Sequence, residues 1–242
     1  LEFAYNDWLI AQMMKEHNRK DIYDKYMELS KAYRAYFDPE TKLMRGRLSD
    51  GSWITPFDPA SVQRPSNYVE GNAWQWAWFV PQDVEGLMQL VGGRKSFEAH
   101  LDTLFTTSSE LTGDPNAAAD VTGMIGQYAH GNEPSHHIPY LYNYAGAPRK
   151  TQALVDHILR TLYHNDPNGL SGNEDVGQMS AWYIMSSLGF YPVFTASGQY
   201  VLGSPLFDKV TINHENGKKF IIEAVLRGQD RKSRRNRNHL GI

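Results

Sequence analysis

Residues 169–192 read GLSGNEDVGQMSAWYIMSSLGFYP. A turn-rich lead from Gly169 to Asp175 runs into Met179 to Leu188, which is apolar on most sides. Gly189 then offers a C-cap ahead of Phe190-Tyr191-Pro192. A helix apolar around most of its circumference reads as central, packed among other helices. On either side of it the sequence changes period, and that change sets the fold class.

Upstream, helical spacing dominates. Leu1, Tyr5, Trp8, Leu9 and Gln12 open a stripe, and Ile22, Tyr26, Leu29 and Tyr33 form a second. Phe37-Asp38-Pro39 stops that helix, because proline lacks a donor and restricts its predecessor. Residues 38–71 hold four prolines and no sustained period, a length of loop that is more often functional than idle. Asn72 to Phe79 reads as a short aromatic helix and Asp83 to Val91 as another. Phe97, His100, Leu101, Leu104 and Phe105 make a one-sided stripe, as do Ile138, Leu141, Tyr142 and Ala145, and then Val155, Ile158, Leu159 and Leu162. Downstream of Pro192 the segments Gln199 to Leu202, Lys209 to Ile212 and Phe220 to Val225 are short and β-branched, with Asn216-Gly217 as a hairpin signal. The expected architecture is mainly α: paired antiparallel helices over 1–192, the start of a β module over 193–225, and a basic tail over 226–242.

Composition narrows the function. The 242 residues carry 24 basic and 27 acidic side chains, a formal net charge of -3, which argues against a bulk nucleic-acid binder. Arg227, Arg231, Lys232, Arg234, Arg235 and Arg237 crowd the last sixteen residues, so the remainder is acidic. Cysteine is absent, which excludes disulfides, thiol catalysis and thiolate metal sites. No apolar run is long enough to span a bilayer.

Three segments concentrate chemistry. In GQYAHGNEPSHHIPYLYNY (126–144), His130, Asn132, Glu133, His136 and His137 surround Pro134. They either line a polar pocket or satisfy local backbone around a helix start. In 169–183, Asp175 and Gln178 make a capping box for the helix that follows, or Glu174 and Asp175 form a carboxylate pair suited to a hard cation or a general base. In YVEGNAWQWAWFV (68–80), Trp74 and Trp78 share a face, and Glu70 stands among aromatics whose desolvation raises a carboxyl pKa, opposed by a nearby helix N-terminus. Three helix-start loops therefore present Glu70, Glu133 and Glu174/Asp175. Carboxylates beside aromatic platforms are what glycosidic cleavage requires. Phosphate-binding, dinucleotide and serine-hydrolase signatures are absent.

LEFAYNDW, EGNAWQWAWFVPQDVEGL, GQYAHGNEPSHHIPYLYNYAG, GLSGNEDVGQMSAWYIMSSLGFYPV and GSPLFDKVTI resemble glycoside hydrolase family 92, in order and over residues 1 to about 224. The resemblance implies a calcium-dependent exo-α-mannosidase, mostly α-1,2, and the C-terminal part of an (α/α)₆ barrel with the first C-terminal β elements. It implies inversion by an acid and a base about 6.5–9.5 Å apart. By motif the base is Asp175, with Asn173 assisting, and the acid is Glu70, with Glu133 the alternative. Asn132, Glu133 and Asp175 would surround Ca2+. His130, His136, Trp74, Asn173 and Glu174 would contact the mannose-containing glycan. The family also places an N-terminal β-sandwich and early barrel helices ahead of Leu1, so the 242-residue chain is expected to be weakly active or inactive. Family-like sequence is expected to stop near Ala224, with the basic tail a departure from the family's frame. The parent protein is expected in a periplasm or outside the cell. A non-catalytic carbohydrate-binding fragment, or a glycosidase of other sugar specificity, is the alternative.

Overall fold

A computed structural model describes residues 1–224 apart from 64, 115, 117 and 118. The basic tail lies outside the described residues.

Helices α1 (Glu2–Glu16) and α2 (Lys20–Leu29) form a hairpin across a three-residue link. A 3₁₀ turn, Ala32–Tyr36, then buries Tyr33 completely and donates its hydroxyl to Asp83. The expected single stripe from Ile22 to Tyr33 is thus split: no residue of α2 is buried, and the ring that reaches the core belongs to the turn.

Within the proline-rich stretch, β1 (Phe37–Asp38) pairs with β2 (Leu43–Met44) in register Phe37 to Met44. The buried Asp38 carboxylate receives Arg45 at 3.1 Å, and Arg45 also donates to the Ile54 carbonyl. Removing either partner would strand a buried charge, at about 3–5 kcal/mol.

The aromatic helix is shorter than its periodicity predicts. Helix α3 is only Ala73–Trp76, followed by a turn to Phe79. Trp76 and Trp78 are both buried, while Trp74 is partly exposed and packs on His100. The supposed shared face of Trp74 and Trp78 dissolves because the chain leaves helical geometry between them.

Helices α4 (Val84–Val91) and α5 (Arg94–Thr106) are joined at Gly92 and Gly93, both at positive φ (+108° and +88°) that other residues rarely adopt. A short hairpin follows, β3 (Met124–Ile125) on β4 (Tyr128–Ala129). The predicted stripe from Ile138 resolves into a 3₁₀ turn and α6 (Leu141–Tyr144), which packs on α7 (Pro148–Thr161).

Helix α8 (Gln178–Leu188) packs on α7, with Met179, Trp182, Ser186 and Ser187 inward. It is not wrapped on all sides. Ile184 is 57% exposed, because the inward stripe repeats at three- and four-residue steps and Ile184 falls opposite. Strand β5 (Phe190–Tyr191) continues directly from α8 and pairs with β6 (Val201–Leu202). The hairpin β7 (Lys209–Asn213) and β8 (Lys219–Glu223) closes at Asn216-Gly217, with Gly217 at φ +78°.

Among the described residues the result is a mainly helical chain with four short antiparallel pairs. One core runs through it, from Tyr33 and Leu87 past Phe97, Leu101 and Leu104 to Tyr140, Ile158 and Trp182. The loops preceding α3, α6 and α8 border this core, and those loops carry the chemistry. Phe97 is fully buried, whereas Phe3 is 85% exposed. Phe97→Ala should therefore cost about 3–5 kcal/mol, and Phe3→Ala should fall within about 0.5 kcal/mol of the parent, both read by urea denaturation.

Candidate active site

The loop before α3 is fixed by a buried amide network. Asn72 accepts from the backbone N–H of Trp74 and Gln75, while the Gln75 side chain accepts from the Asn72 N–H, a complete capping box. Asn72 Nδ2 donates to Gln127 Oε1 at 2.9 Å, and Gln75 Nε2 donates to the Gln127 carbonyl. Gln127 in turn donates to the carbonyls of Ser108 and Glu110. Glu70, just ahead of this cap, is therefore held against the β3–β4 hairpin, and its carbonyl accepts the Trp76 indole N–H.

The HGNEPSHH loop is anchored by its histidines. His137 Nε2 donates to the Trp78 carbonyl at 2.8 Å, and His136 Nε2 donates to the His130 carbonyl at 2.9 Å. His136 Nδ1 is then an acceptor, and Gln178 Nε2 supplies the proton at 3.0 Å. Trp182 Nε1 donates to the His136 carbonyl. Tyr163 donates to the Met179 carbonyl, so its oxygen accepts from His130 Nε2, leaving His130 Nδ1 to accept from Tyr128. Burial pushes the His130 pKa down to about 2, and those of His136 and His137 to about 4. All three are neutral imidazoles near pH 7.

His130 and His136 are 0% and 1% exposed, and every ring nitrogen has a partner. Neither offers a nitrogen to a sugar, contrary to the sequence expectation. Their chemistry is spent on positioning, since a buried imidazole without partners would be costly.

The third loop also departs from expectation. Asp175 does not cap α8. Asp175, Val176 and Gly177 all have positive φ (+49°, +55°, +93°), so the residues just ahead of α8 are not in helical geometry, and the Asp175 carboxyl meets Glu133. Glu174 does the capping: its carboxylate accepts from the Ser180 N–H at 3.0 Å and the Ser180 hydroxyl at 2.8 Å. Glu174 is thereby engaged with α8 and not turned to a ligand, while Asp175 is free for other work.

Close backbone approach joins the loops. Gly131 N–H donates to the Thr122 carbonyl, and His130 N–H to that of Gly123. A Cβ on Gly131 would collide with Thr122 Oγ1 and the Ser171 carbonyl, and one on Gly172 would lie 2.9 Å from Thr122 Oγ1. Only glycines let these three strands of chain touch.

The outcome is a convergence of carboxylates. Burial raises the Glu70 pKa, and the charges of Glu133 and Asp120 raise it further. The Asn132 amide opposes that rise by its proximity, although neither amide atom finds a hydrogen-bond partner of ordinary geometry. Burial also raises Glu133, and Asp175 and Asp120 add to it. Glu70, Glu133 and Asp175 thus lie near one another, with Asn132 beside Glu70. Asp120 was not anticipated from sequence. It accepts from Asn173 Nδ2 at 3.2 Å, placing Asn173 at the same site. Its only sequence signal is a carboxylate at the end of a Ser/Thr/Gly/Asp/Pro-rich loop. Trp74, whose ring lies 5.8 Å from His100, belongs to the α5 side.

Asn132 Oδ1 is buried and unpaired beside two interacting carboxylates, a hard-oxygen set that suits Ca2+. Among the described residues no three His, Asp or Glu side chains cluster closely enough to cage a metal. A cation here would take its remaining ligands from water or a bound hydroxyl compound.

The Glycosyl hydrolase family 92 catalytic domain matches residues 1–239, a span that takes in most of the basic run. The chain belongs to this family. A Bacteroides thetaiotaomicron family GH92 α-mannosidase in complex with mannoimidazole is 44% identical, superposes with a TM-score of 0.84, and is matched over 92% of this chain and 30% of its own. A family GH92 inverting mannosidase from Bacteroides thetaiotaomicron VPI-5482 is 37% identical at TM-score 0.77, over 91% of this chain and 30% of its own. An "Uncharacterized secreted glycosidase" of Arthroderma benhamiae is 25% identical over 236 residues, 88% of this chain and 28% of its own length. The chain therefore spans under a third of the proteins it matches.

Raised carboxyl pKa values fix the sign of a pH effect. A carboxyl whose folded pKa lies above its ordinary 4.5 stabilises the fold below that value, and the contribution is lost as pH rises through the folded pKa. This contribution should fall above about pH 4.5, while the depressed His130, His136 and His137 add stability as pH rises toward the ordinary 6.5. Glu133→Gln removes only the first, so its urea midpoint should gain on that of the unsubstituted chain between pH 4 and 7. At fixed pH 7, Glu174→Ala should lose about 1 kcal/mol with its helix cap. Asp175→Asn should lose none, because asparagine tolerates positive φ and removes a charge facing Glu133.

Proposed function

We propose that this chain is the catalytic segment of an exo-acting α-mannosidase that removes terminal α-linked, chiefly α-1,2, mannose with inversion. The observation that carries this is the convergence of Glu70, Glu133, Asp175 and Asp120 on one site, where burial and neighbouring anions raise the Glu70 and Glu133 carboxyl pKa values. Glu70, half-buried and facing anions, is kept protonated to higher pH than an ordinary glutamic acid, as a proton donor to a departing sugar oxygen needs. Asp175, released from capping by Glu174, is the base that takes a proton from water at the anomeric carbon. Asn173, positioned by Asp120, orients that water. Glu133 is the alternative acid.

Asn132, Glu133 and Asp175 would hold Ca2+. Bound there, the ion would offset the mutual repulsion of the carboxylates and accept vicinal sugar hydroxyls as ligands. The helices then form part of an (α/α)₆ barrel whose loop end carries the site. The likeness to mannosidases of this family, one in complex with mannoimidazole, supports this reading. Action outside the cytoplasm accords with the secreted relative. Among the described residues no helix is long and apolar enough to cross a membrane. The glycan substrate is met together with the parent's N-terminal β-sandwich and early barrel helices.

The test is mannose release from α-1,2-mannobiose, followed by proton NMR for the first-formed anomer. It is run on this chain and on a form extended to include the family's preceding region. β-Mannose should appear first, faster in the extended form. Glu70→Gln and Asp175→Asn should each lower the rate by at least about 10²-fold, and a calcium chelator should abolish it reversibly. First-formed α-mannose, or full activity in both variants, would overturn the reading.

A further inference from the structure

The three residues ahead of α8 stand in a backbone conformation that two of them disfavour. Asp175 and Val176 share with Gly177 a run of positive φ, and only the glycine adopts it at no steric cost. Val176 is the extreme case. It is β-branched, and it is fully exposed, so no packing offsets the strain. A turn of this kind persists only where its ends are held.

The near end is held twice. Asn173 donates to Asp120, and the Glu174 carboxylate accepts from Ser180. At the far end stands Gln178. Its backbone N–H donates to the Asp175 carbonyl at 3.1 Å and closes the turn. Its side-chain Nε2 donates to His136 Nδ1 at 3.0 Å and reaches the Tyr191 hydroxyl at 3.4 Å. The N–H of His136 in turn donates to the Glu133 carbonyl at 3.0 Å. One residue therefore joins the turn that bears Asp175 to the loop that bears Glu133. The side chain has to be a donor. His136 Nε2 is committed to the His130 carbonyl, so Nδ1 is left as an acceptor, which neither an ionised carboxylate nor an apolar group at 178 could satisfy.

We infer that Gln178 is a positioning residue: it sets Asp175 against Glu133 by tying the far end of the strained turn to the loop that carries the second carboxylate. The tie stands on geometry alone. Its effect on turnover rests on the mannosidase reading above, in which Asp175 is the base.

Two measurements keep these apart. In the 242-residue chain, Gln178→Met should quicken amide hydrogen exchange about 10-fold at Ser135, His136 and position 178, whose N–H groups close the loop and the turn. The Ser180 N–H, held by Glu174, should exchange as before. Unchanged exchange in the loop, or equal quickening at Ser180, would overturn the tie. In the extended form, Gln178→Met should lower kcat on α-1,2-mannobiose by about 10-fold, with KM within about 2-fold of the parent. Adding Val176→Gly, which relieves the strain, should recover at least about 3-fold of that loss, whereas Val176→Gly alone should leave kcat within about 2-fold. Unchanged kcat in Gln178→Met, or no recovery in the double variant, would overturn the positioning role where Asp175→Asn is inactive. Full activity in Asp175→Asn would instead retire the mannosidase reading, and the exchange result then decides the tie by itself.

Discussion

The arrangement of the site depends on imidazoles that do no acid–base work. His130, His136 and His137 are buried and neutral, and each is bonded to main chain or to a side chain from another element. His137 ties the HGNEPSHH loop to the turn after α3, His136 ties it to α8 through Gln178, and His130 ties it to the end of α7 through Tyr163. Each bond alone contributes on the order of 1 kcal/mol. Their larger effect is directional. Once the proton positions are set by fixed acceptors, the loop between the histidines has little freedom, and Asn132 and Glu133 are delivered to one place.

What is delivered is electrostatically unfavourable by itself. Glu133 meets Asp175 and Asp120, and Glu70 meets Glu133, in partly buried surroundings. A site of this kind is stable only if a proton or a cation offsets the charge. The fold sustains it by spending other groups on structure: Glu174 caps α8, Asn72 caps α3, and Arg45 neutralises Asp38. The glycines at 131 and 172 permit the approach, so the unfavourable contact is imposed by close-packed backbone and not by flexible side chains.

Much of this was legible in the sequence. The helical stripes and the late change to β-branched segments gave the mainly helical class, and Asn216-Gly217 gave the last hairpin. Glu70, Glu133 and Asp175 stood out as carboxylates at helix starts. The two-residue strands of the earlier hairpins were not legible, being too short to show a period. Nor was the division of labour between adjacent residues. Glu174 and Asp175 read alike, yet across a run of positive φ from Asp175 to Gly177 the first bonds Ser180 of α8 and the second meets Glu133. His130 and His136 read as ligand contacts because a polar residue among aromatics looks the same in sequence whether its partners are sugar hydroxyls or carbonyls of its own chain. Asp120 gave no signal beyond being a carboxylate at the end of a polar loop, since its importance arises from long-range contact with Asn173.

The neutral, directionally fixed histidines are the claim on which the rest stands, and they are open to direct observation. Long-range nitrogen–proton NMR of the imidazole rings, followed from pH 5 to 8, reports both tautomer and titration. Four rings, those of His100, His130, His136 and His137, should show the Nε2–H tautomer without change across that range. A ring assigned to His136 or His137 that titrates near the ordinary 6.5, or that carries its proton on Nδ1, would contradict the account.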